Sequence, residues 1–229
     1  AVSLATIPGV SAKELNDIAH KMAREGGDKP AFLGYKTGGS RPYPSSLCVS
    51  INNEIVHGIS TEEPKIIKEG DIVSLDMGLI HKGLITDSAV SVIAGQGDVL
   101  SGKLLEATKR ALNMGIKAIK AGGHIGDIGN AIAKVAKENN FSLAEELAGH
   151  GVGYKVHEDP YVPNTGAKGK GELLRPGMVI AIEPMFNEGT GKIIIDNDGW
   201  TFKTADGKRS AHFEHTVAIT EKGADILTQ

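Results

Sequence analysis

Residues 70–93 read GDIVSLDMGLIHKGLITDSAVSVI, two apolar runs, 71–76 and 84–93, on either side of a short polar break. Val- and Ile-rich runs bounded by glycine read as strands. A turn at His81-Lys82, with Gly83 next, joins them as an antiparallel hairpin. In a hairpin centred there, residues whose numbers sum to 163 face each other, so Asp76 stands opposite Asp87. Directly opposed residues share a face, with Cβ atoms about 4.5–5.5 Å apart. Two carboxylates so placed repel at neutral pH unless a cation or a shared proton lies between them. The spacing suits two metal ions roughly 3.5–4 Å apart.

The first strand has an echo. Gly70-Asp71-Ile72-Val73-Ser74-Leu75-Asp76 resembles Gly177-Met178-Val179-Ile180-Ala181-Ile182-Glu183, in each case a glycine, an apolar strand and an acid six residues on. A further acid later opens another strand in each half, Asp87-Ser88-Ala89-Val90 and Glu214-His215-Thr216-Val217. Gly9-Val10-Ser11 and Gly122-Gly123-His124 form a fainter pair of helix starts. The pattern reads as a divergent duplication, two α/β halves around one shared site. Glu183 and Glu214 sum to 397, centred on Asp198-Gly199, a favoured turn dipeptide. Four acids on one concave sheet face demand neutralisation.

Around this frame, Ser11 with Glu14 makes a capping box, followed by Leu15, Ile18, Ala19 and Met22 at helical spacing. Further helices are expected over 100–120 and 125–138, and strands over 47–51, 178–183, 192–195 and 214–220. The 229 residues carry 25 Lys+Arg against 28 Asp+Glu, a net charge of −3. That near-balance argues against a nucleic-acid reader or a polybasic membrane surface. No apolar run approaches the roughly 18 residues of a membrane helix. The single cysteine, Cys48, excludes an internal disulfide and favours a reducing compartment. A cytoplasmic protein is expected.

Of the eight histidines, His150 lies in AGHGVG (148–153), where the glycines let other groups approach the ring. His157 follows before Glu158-Asp159-Pro160, and His57 comes just after a strand. His20 and His81 read as ordinary solvated residues, and His124 as a helix-start residue. His212 shares the parity of Glu214 and His215 does not; neither is assigned a role.

The strings LCVSINNEIVHGI, DIVSLDMGLIHKGLITDSAVS, GHGVGYKVHEDP, MVIAIEPM and SAHFEHTVAIT, in that order, resemble the type I methionine aminopeptidases, from about Pro8 to Thr220. The resemblance implies an α+β pita-bread fold, a curved antiparallel sheet backed by helices in two pseudo-symmetric halves, with residues 1–229 as a single catalytic domain whose N-terminal helix is truncated. It implies two divalent ions (Co, Mn, Fe or Zn) on Asp76, Asp87, His150, Glu183 and Glu214, with Asp87 and Glu214 bridging. It implies substrate contacts from His57 and His157, and a proton shuttle in Glu183. The expected reaction is removal of the initiator methionine from nascent proteins with a small second residue, through a metal-activated water. A ribosome-associated monomer fits that role.

The same resemblance lines the methionine pocket with Tyr35, Tyr43, Cys48 and Trp200. Phe32 and Val156 stand where many relatives carry cysteine and phenylalanine, and the loop at 36–42 looks longer than in the shortest relatives, so both alter the pocket. A proline-specific peptidase on the same fold shares the five ligands, but the 48–58 and 87–89 segments favour the methionine enzyme. A type II enzyme needs an insertion for which the 26-residue step from His157 to Glu183 leaves no room. A non-catalytic pita-bread protein would have lost metal ligands, and all five are present.

Overall fold

The computed structural model describes residues 1–37, 41–63 and 65–228. Its helices are α1 (Val2–Ala5), α2 (Ala12–Glu25), α3 (Val99–Lys117) and α4 (Ile125–Asn139). The first half supplies strands β1 (Lys29–Pro30), β2 (Cys48–Ile51), β3 (Glu54–Val56), β4 (Ile72–His81) and β5 (Leu84–Ile93). The second supplies β6 (Ser142–Leu143), β7 (Ala148–Gly151), β8 (Glu158–Pro163), β9 (Val179–Ile182), β10 (Met185–Asn187), β11 (Ile193–Ile195), β12 (Phe202–Thr204), β13 (Ser210–His212), β14 (Glu214–Thr220) and β15 (Gly223–Ile226). The main sheet runs β1-β4-β5-β14-β9-β7-β8, with β2 also on β4 and β15 also on β14. All its pairs are antiparallel.

Strand alternation sorts the two faces. Val73 and Leu75 of β4 pack with Leu15 and Ala19 of α2. Ile180 and Ile182 of β9 and Val217 and Ile219 of β14 pack with Leu104 of α3 and Ile128 and Ile132 of α4. Each such buried side chain contributes about 1.5–3 kcal/mol. Residues of the other parity, among them Asp76, Ile85, Asp87, Ala181, Glu183 and Glu214, therefore point away from the helices. The architecture is the curved, helix-backed antiparallel sheet expected.

The duplication is visible in the backbone. Gly9 N donates to Ile67 O at 2.8 Å, and Gly122 N donates to Leu174 O at 3.0 Å. Ile67 N donates back to Val10 O at 2.9 Å, as Leu174 N does to Gly123 O at 2.8 Å. Isolated bridges Ser11–Ile66 and His124–Leu173 occupy matching places. At the two helix starts, Glu14 accepts the Ser11 N–H and Asp127 the His124 N–H. The fainter helix pair is thus part of the repeat.

One register differs from expectation. In the β4–β5 hairpin His81 faces Leu84, so partners sum to 165: Asp76 faces Ala89, and Asp87 faces Gly78. The tight turn is Lys82-Gly83, with φ of 49° and 87°. A two-residue primed turn needs positive φ at both centres, which glycine takes at no steric cost; Gly83 therefore pulls the turn one residue on. Asp76 and Asp87 become diagonal neighbours on one face. The second half keeps its expected register. β9–β14, β10–β13 and β11–β12 all pair at the sum 397, around a turn at Asp198-Gly199.

Between the halves, the β5–β14 ladder holds only Glu214–Ala89 and His215–Ser88. Past it the buried Thr216 hydroxyl accepts the Asp87 N–H at 2.8 Å and donates to the Asp87 carbonyl at 2.7 Å. Thr216→Val keeps the shape and strands both backbone groups, so a loss of about 1–3 kcal/mol is expected. Urea denaturation of the two proteins measures it; equal midpoints would refute this role for the hydroxyl.

Candidate active site

Four carboxylates form a row across the centre of the sheet. Asp76 on β4 faces Ala89 on β5, which faces Glu214 at the start of β14. The register continues from His215–Ile182 to Met185–His212, so Glu183 lies opposite Glu214. Asp87 sits two residues from Ala89, and that small side chain leaves room among the acids. Asp76, Asp87 and Glu214 are 7%, 4% and 2% exposed.

Burial is the main reason these acids hold protons tightly. It raises Asp76 and Glu214 well above the carboxylate range, with the charges of Asp87 and Glu183 adding to it. Asp87 is pushed up to about 7 by burial and then by Glu183, and Glu183 to about 7 by burial. Asp76 Oδ1 and Glu214 Oε1 are buried without a hydrogen-bond partner. Buried acceptors left this way are costly unless a cation meets them.

His150 comes from β7, flanked by Gly149 and Gly151. A Cβ on Gly149 would meet Ala181 O at 2.2 Å, and one on Gly151 would meet Asp159 O at 2.1 Å. These glycines admit neighbouring backbone, rather than groups approaching the ring as expected. His150 Nδ1 donates to Gly151 O at 2.9 Å, leaving the Nε2 lone pair free, 3.4 Å from Glu183 Oε1. One ligand atom each from Asp87, His150 and Glu214 lie within 4.8 Å of one another. Carboxylate oxygens with one imidazole form a hard-to-borderline donor set that suits a divalent ion.

These groups line one side of a cavity of about 410 Å³; Phe32, Tyr35, Tyr43, Cys48, His57, His157 and Trp200 line the other. Its apolar wall continues into Val152, Val156 and Ala181. Tyr43 meets Trp200 edge-on at 5.3 Å and donates to Gly58 O at 2.9 Å. Asp198 accepts the Trp200 N–H at 2.7 Å, so the turn that sets the second register also holds this wall. Burial and Asp76 push the Cys48 thiol well up, against a nucleophilic role. Phe32 packs where Gly78, the residue facing Asp87, has no side chain.

His157 stands 4.4 Å from His150, ring to ring, with Nδ1 2.6 Å from the Tyr35 hydroxyl. Burial and His150 lower it to about 3. His57 is lowered to about 4 by burial, then by His212 and His150. Its φ of 58° is a strained setting for a non-glycine residue, of the kind that collects at functional sites. Both rings are therefore neutral at pH 7.

The five expected ligands, His57, His157 and the four expected pocket residues all line this one cavity. His212, to which the sequence gives no role, shares parity with Glu214 and joins the site from behind. It is 1% exposed, with Nε2 3.5 Å from Glu183 Oε2 and 4.0 Å from Glu214 Oε2. His215 turns to the other face and meets Thr228 Oγ1 at 2.9 Å. His20, expected to be solvated, is half-buried against Ser46 Oγ at 2.8 Å; His81 meets Asp28 at 2.6 Å, and His124 caps α4. In the loop at 36–42, Thr37 lines the cavity and Arg41 pairs with Glu62, while residues 38–40 lie outside the described ones. Among the described residues no helix is long and apolar enough to cross a membrane.

Comparison with known proteins places residues 1–221 on metallopeptidase family M24. A methionine aminopeptidase of Aquifex aeolicus is 52% identical over 225 residues, covering 97% of this chain and 87% of that protein. The crystal structure of methionine aminopeptidase from Thermotoga maritima superposes with a TM-score of 0.94 at 42% identity, over 100% of this chain and 89% of that one. A prolidase from Pyrococcus horikoshii reaches a TM-score of 0.77 at 21% identity, over 100% of this chain and 57% of that one, a likeness of fold alone.

Proposed function

The chain belongs to metallopeptidase family M24, and from that membership we infer that it is a metal-dependent aminopeptidase releasing the N-terminal methionine of peptides and proteins. One observation carries the reading at the site: buried, partnerless carboxylate oxygens meet an imidazole lone pair at the side of a cavity walled by aromatic rings.

Asp76, Asp87, His150, Glu183 and Glu214 would hold two divalent ions, Mn, Fe, Co or Zn, with Asp87 and Glu214 shared between them. Such ions supply a water acidic enough to be deprotonated at neutral pH and polarise the scissile carbonyl. Glu183 would take the proton from that water and return it to the leaving amine. Tyr35 Oη lies 2.6 Å from His157 Nδ1; with the tyrosine hydroxyl donating there, His157 Nε2–H would be the donor to the reacting carbonyl oxygen. Tyr43, Cys48 and Trp200 receive the methionine side chain, a polarizable thioether against aromatic edges.

We place residues 1–229 as one catalytic domain, because both halves contribute to the cavity. The buried, unpaired Cys48 supports a reducing, cytoplasmic setting. We propose a monomer working near the ribosome, where nascent chains with an N-terminal methionine arise.

Hydrolysis of Met-Ala-Ser against Ala-Pro-Ala by EDTA-treated protein, with Mn or Co restored, tests the function. Metal-dependent release of methionine alone is expected. Preference for the proline peptide would keep the fold and overturn the substrate.

The raised acids also predict a pH signature. Their unfolded values lie near 4, so between about pH 4 and 7 the folded, metal-free chain keeps protons that the unfolded chain has lost, and stability falls as pH rises. Divalent ions displace those protons. Metal-free protein should melt lower at pH 8 than at pH 6, and added Mn should raise Tm more at pH 8. A metal-free Tm that does not fall over this range would refute the electrostatic account.

A further inference from the structure

The inference rests on the metal-centre reading above and concerns His212, which lies behind the carboxylates. Glu183 and Glu214 line the cavity and His212 does not. Its backbone is clamped on both sides. Its N–H donates to Ser91 Oγ at 2.8 Å, and that hydroxyl donates to its carbonyl at 2.8 Å. Ser91 is in turn 2.7 Å from Ser74 Oγ. All three residues are buried, so the ring has little freedom to leave its place.

Two imidazoles bracket the Glu183 carboxylate, His150 Nε2 at 3.4 Å from Oε1 and His212 Nε2 at 3.5 Å from Oε2. They differ in what their Nε2 can carry. His150 gives its proton to a carbonyl through Nδ1, so its Nε2 is a lone pair. His212 Nε2 has no hydrogen-bond partner and faces only carboxylate oxygens, Glu183 Oε2 and Glu214 Oε2. With both acids ionised, as ligands to metal are, a lone pair there would oppose theirs. A proton there would attract both.

We propose that His212 is a positioning residue whose Nε2–H is shared by Glu183 Oε2 and Glu214 Oε2. It thereby turns the other oxygen of each, Glu183 Oε1 beside His150 and the partnerless Glu214 Oε1, toward the ions. Reaching the usual distance of about 2.9 Å from Glu183 Oε2 needs a shift of roughly half an ångström. Groups that orient metal-binding side chains in this way typically account for 10–100-fold in metal affinity or activity.

The test compares His212→Gln, which keeps an N–H donor, with His212→Met, which fills similar space without one. Calorimetric titration of the metal-free proteins with Co and Mn should show His212→Met binding about 10–100-fold more weakly, with His212→Gln recovering most of the loss. Methionine release should fall in kcat more than KM rises. In wild-type protein loaded with zinc, histidine ¹⁵N spectra should show the His212 proton on Nε2, a readout that stands even if His212→Met fails to fold. A proton on Nδ1, or wild-type affinity in His212→Met, overturns the proposal. Wild-type protein that takes up no divalent ion overturns the metal-centre reading along with it.

Discussion

Replacing Glu214 by Gln should lower metal-dependent methionine release by about 10³-fold or more, some 4 kcal/mol of transition-state stabilisation, while the protein stays folded. Glu214 opens β14 where the two halves meet, 2% exposed, between Ala89 on one side and the continued register of Glu183 on the other. Its Oε1 has no hydrogen-bond partner among the described residues. The amide keeps the shape and removes the charge, so the metal centre proposed above would lose a ligand. Asp87→Asn should behave alike. The metal-free fold should not suffer, because a buried carboxylate next to three others is removed rather than created. Bound metal per chain, kcat/KM on Met-Ala-Ser and a thermal melt check this together. A variant that keeps a tenth of the activity at full metal loading would sink the shared-ligand assignment, whereas one that loses activity by unfolding would put Glu214 in the framework instead.

His157→Ala should lower kcat about 10²-fold, the scale for loss of one donor to a developing oxyanion, with KM and bound metal changed little. The ring projects into the cavity 4.4 Å from His150, steered by the Tyr35 hydroxyl. Among the described residues no carboxylate is paired with it, and burial keeps it neutral, so the role proposed for it is that of a hydrogen-bond donor and not of a cation. Tyr35→Phe should show a smaller loss in the same direction, because it frees the ring without removing it. An unchanged kcat in His157→Ala would refute a role in the reaction. A matching loss of metal would make it a support for His150.

The wall of the cavity shows how far such assignments reach from sequence. Tyr35, Tyr43, Cys48 and Trp200 came from resemblance, since an aromatic in a loop carries no local mark of the site it faces. Trp200 reaches Tyr43 only because the long second hairpin folds its turn back over the first half. His212 had a local mark, its parity with Glu214, but a single histidine on a strand is more often structural, and nothing nearby shows that Ser91 and Ser74 lock it beneath the acids.

Alternation along β4, β5, β9 and β14 was legible residue by residue. A strand's period of two is a property of the backbone, so the apolar set identifies the helix face and leaves all four acids on the other. The caps at Ser11 and His124 and the repeated glycine-strand-acid pattern are equally local. Register is not. Whether Asp76 meets Asp87 or Ala89 depends on which two residues turn, and Gly83, free at positive φ, moved the pairing by one residue on each strand. The crossing of β5 with β14 joins segments more than a hundred residues apart, and the backbone approach through Gly149 and Gly151 and the burial that raises the acids likewise exist only once separate segments pack together. Short-range pattern therefore chose the faces and the acids, and only tertiary packing decided which of them meet and how dry the place is where they do.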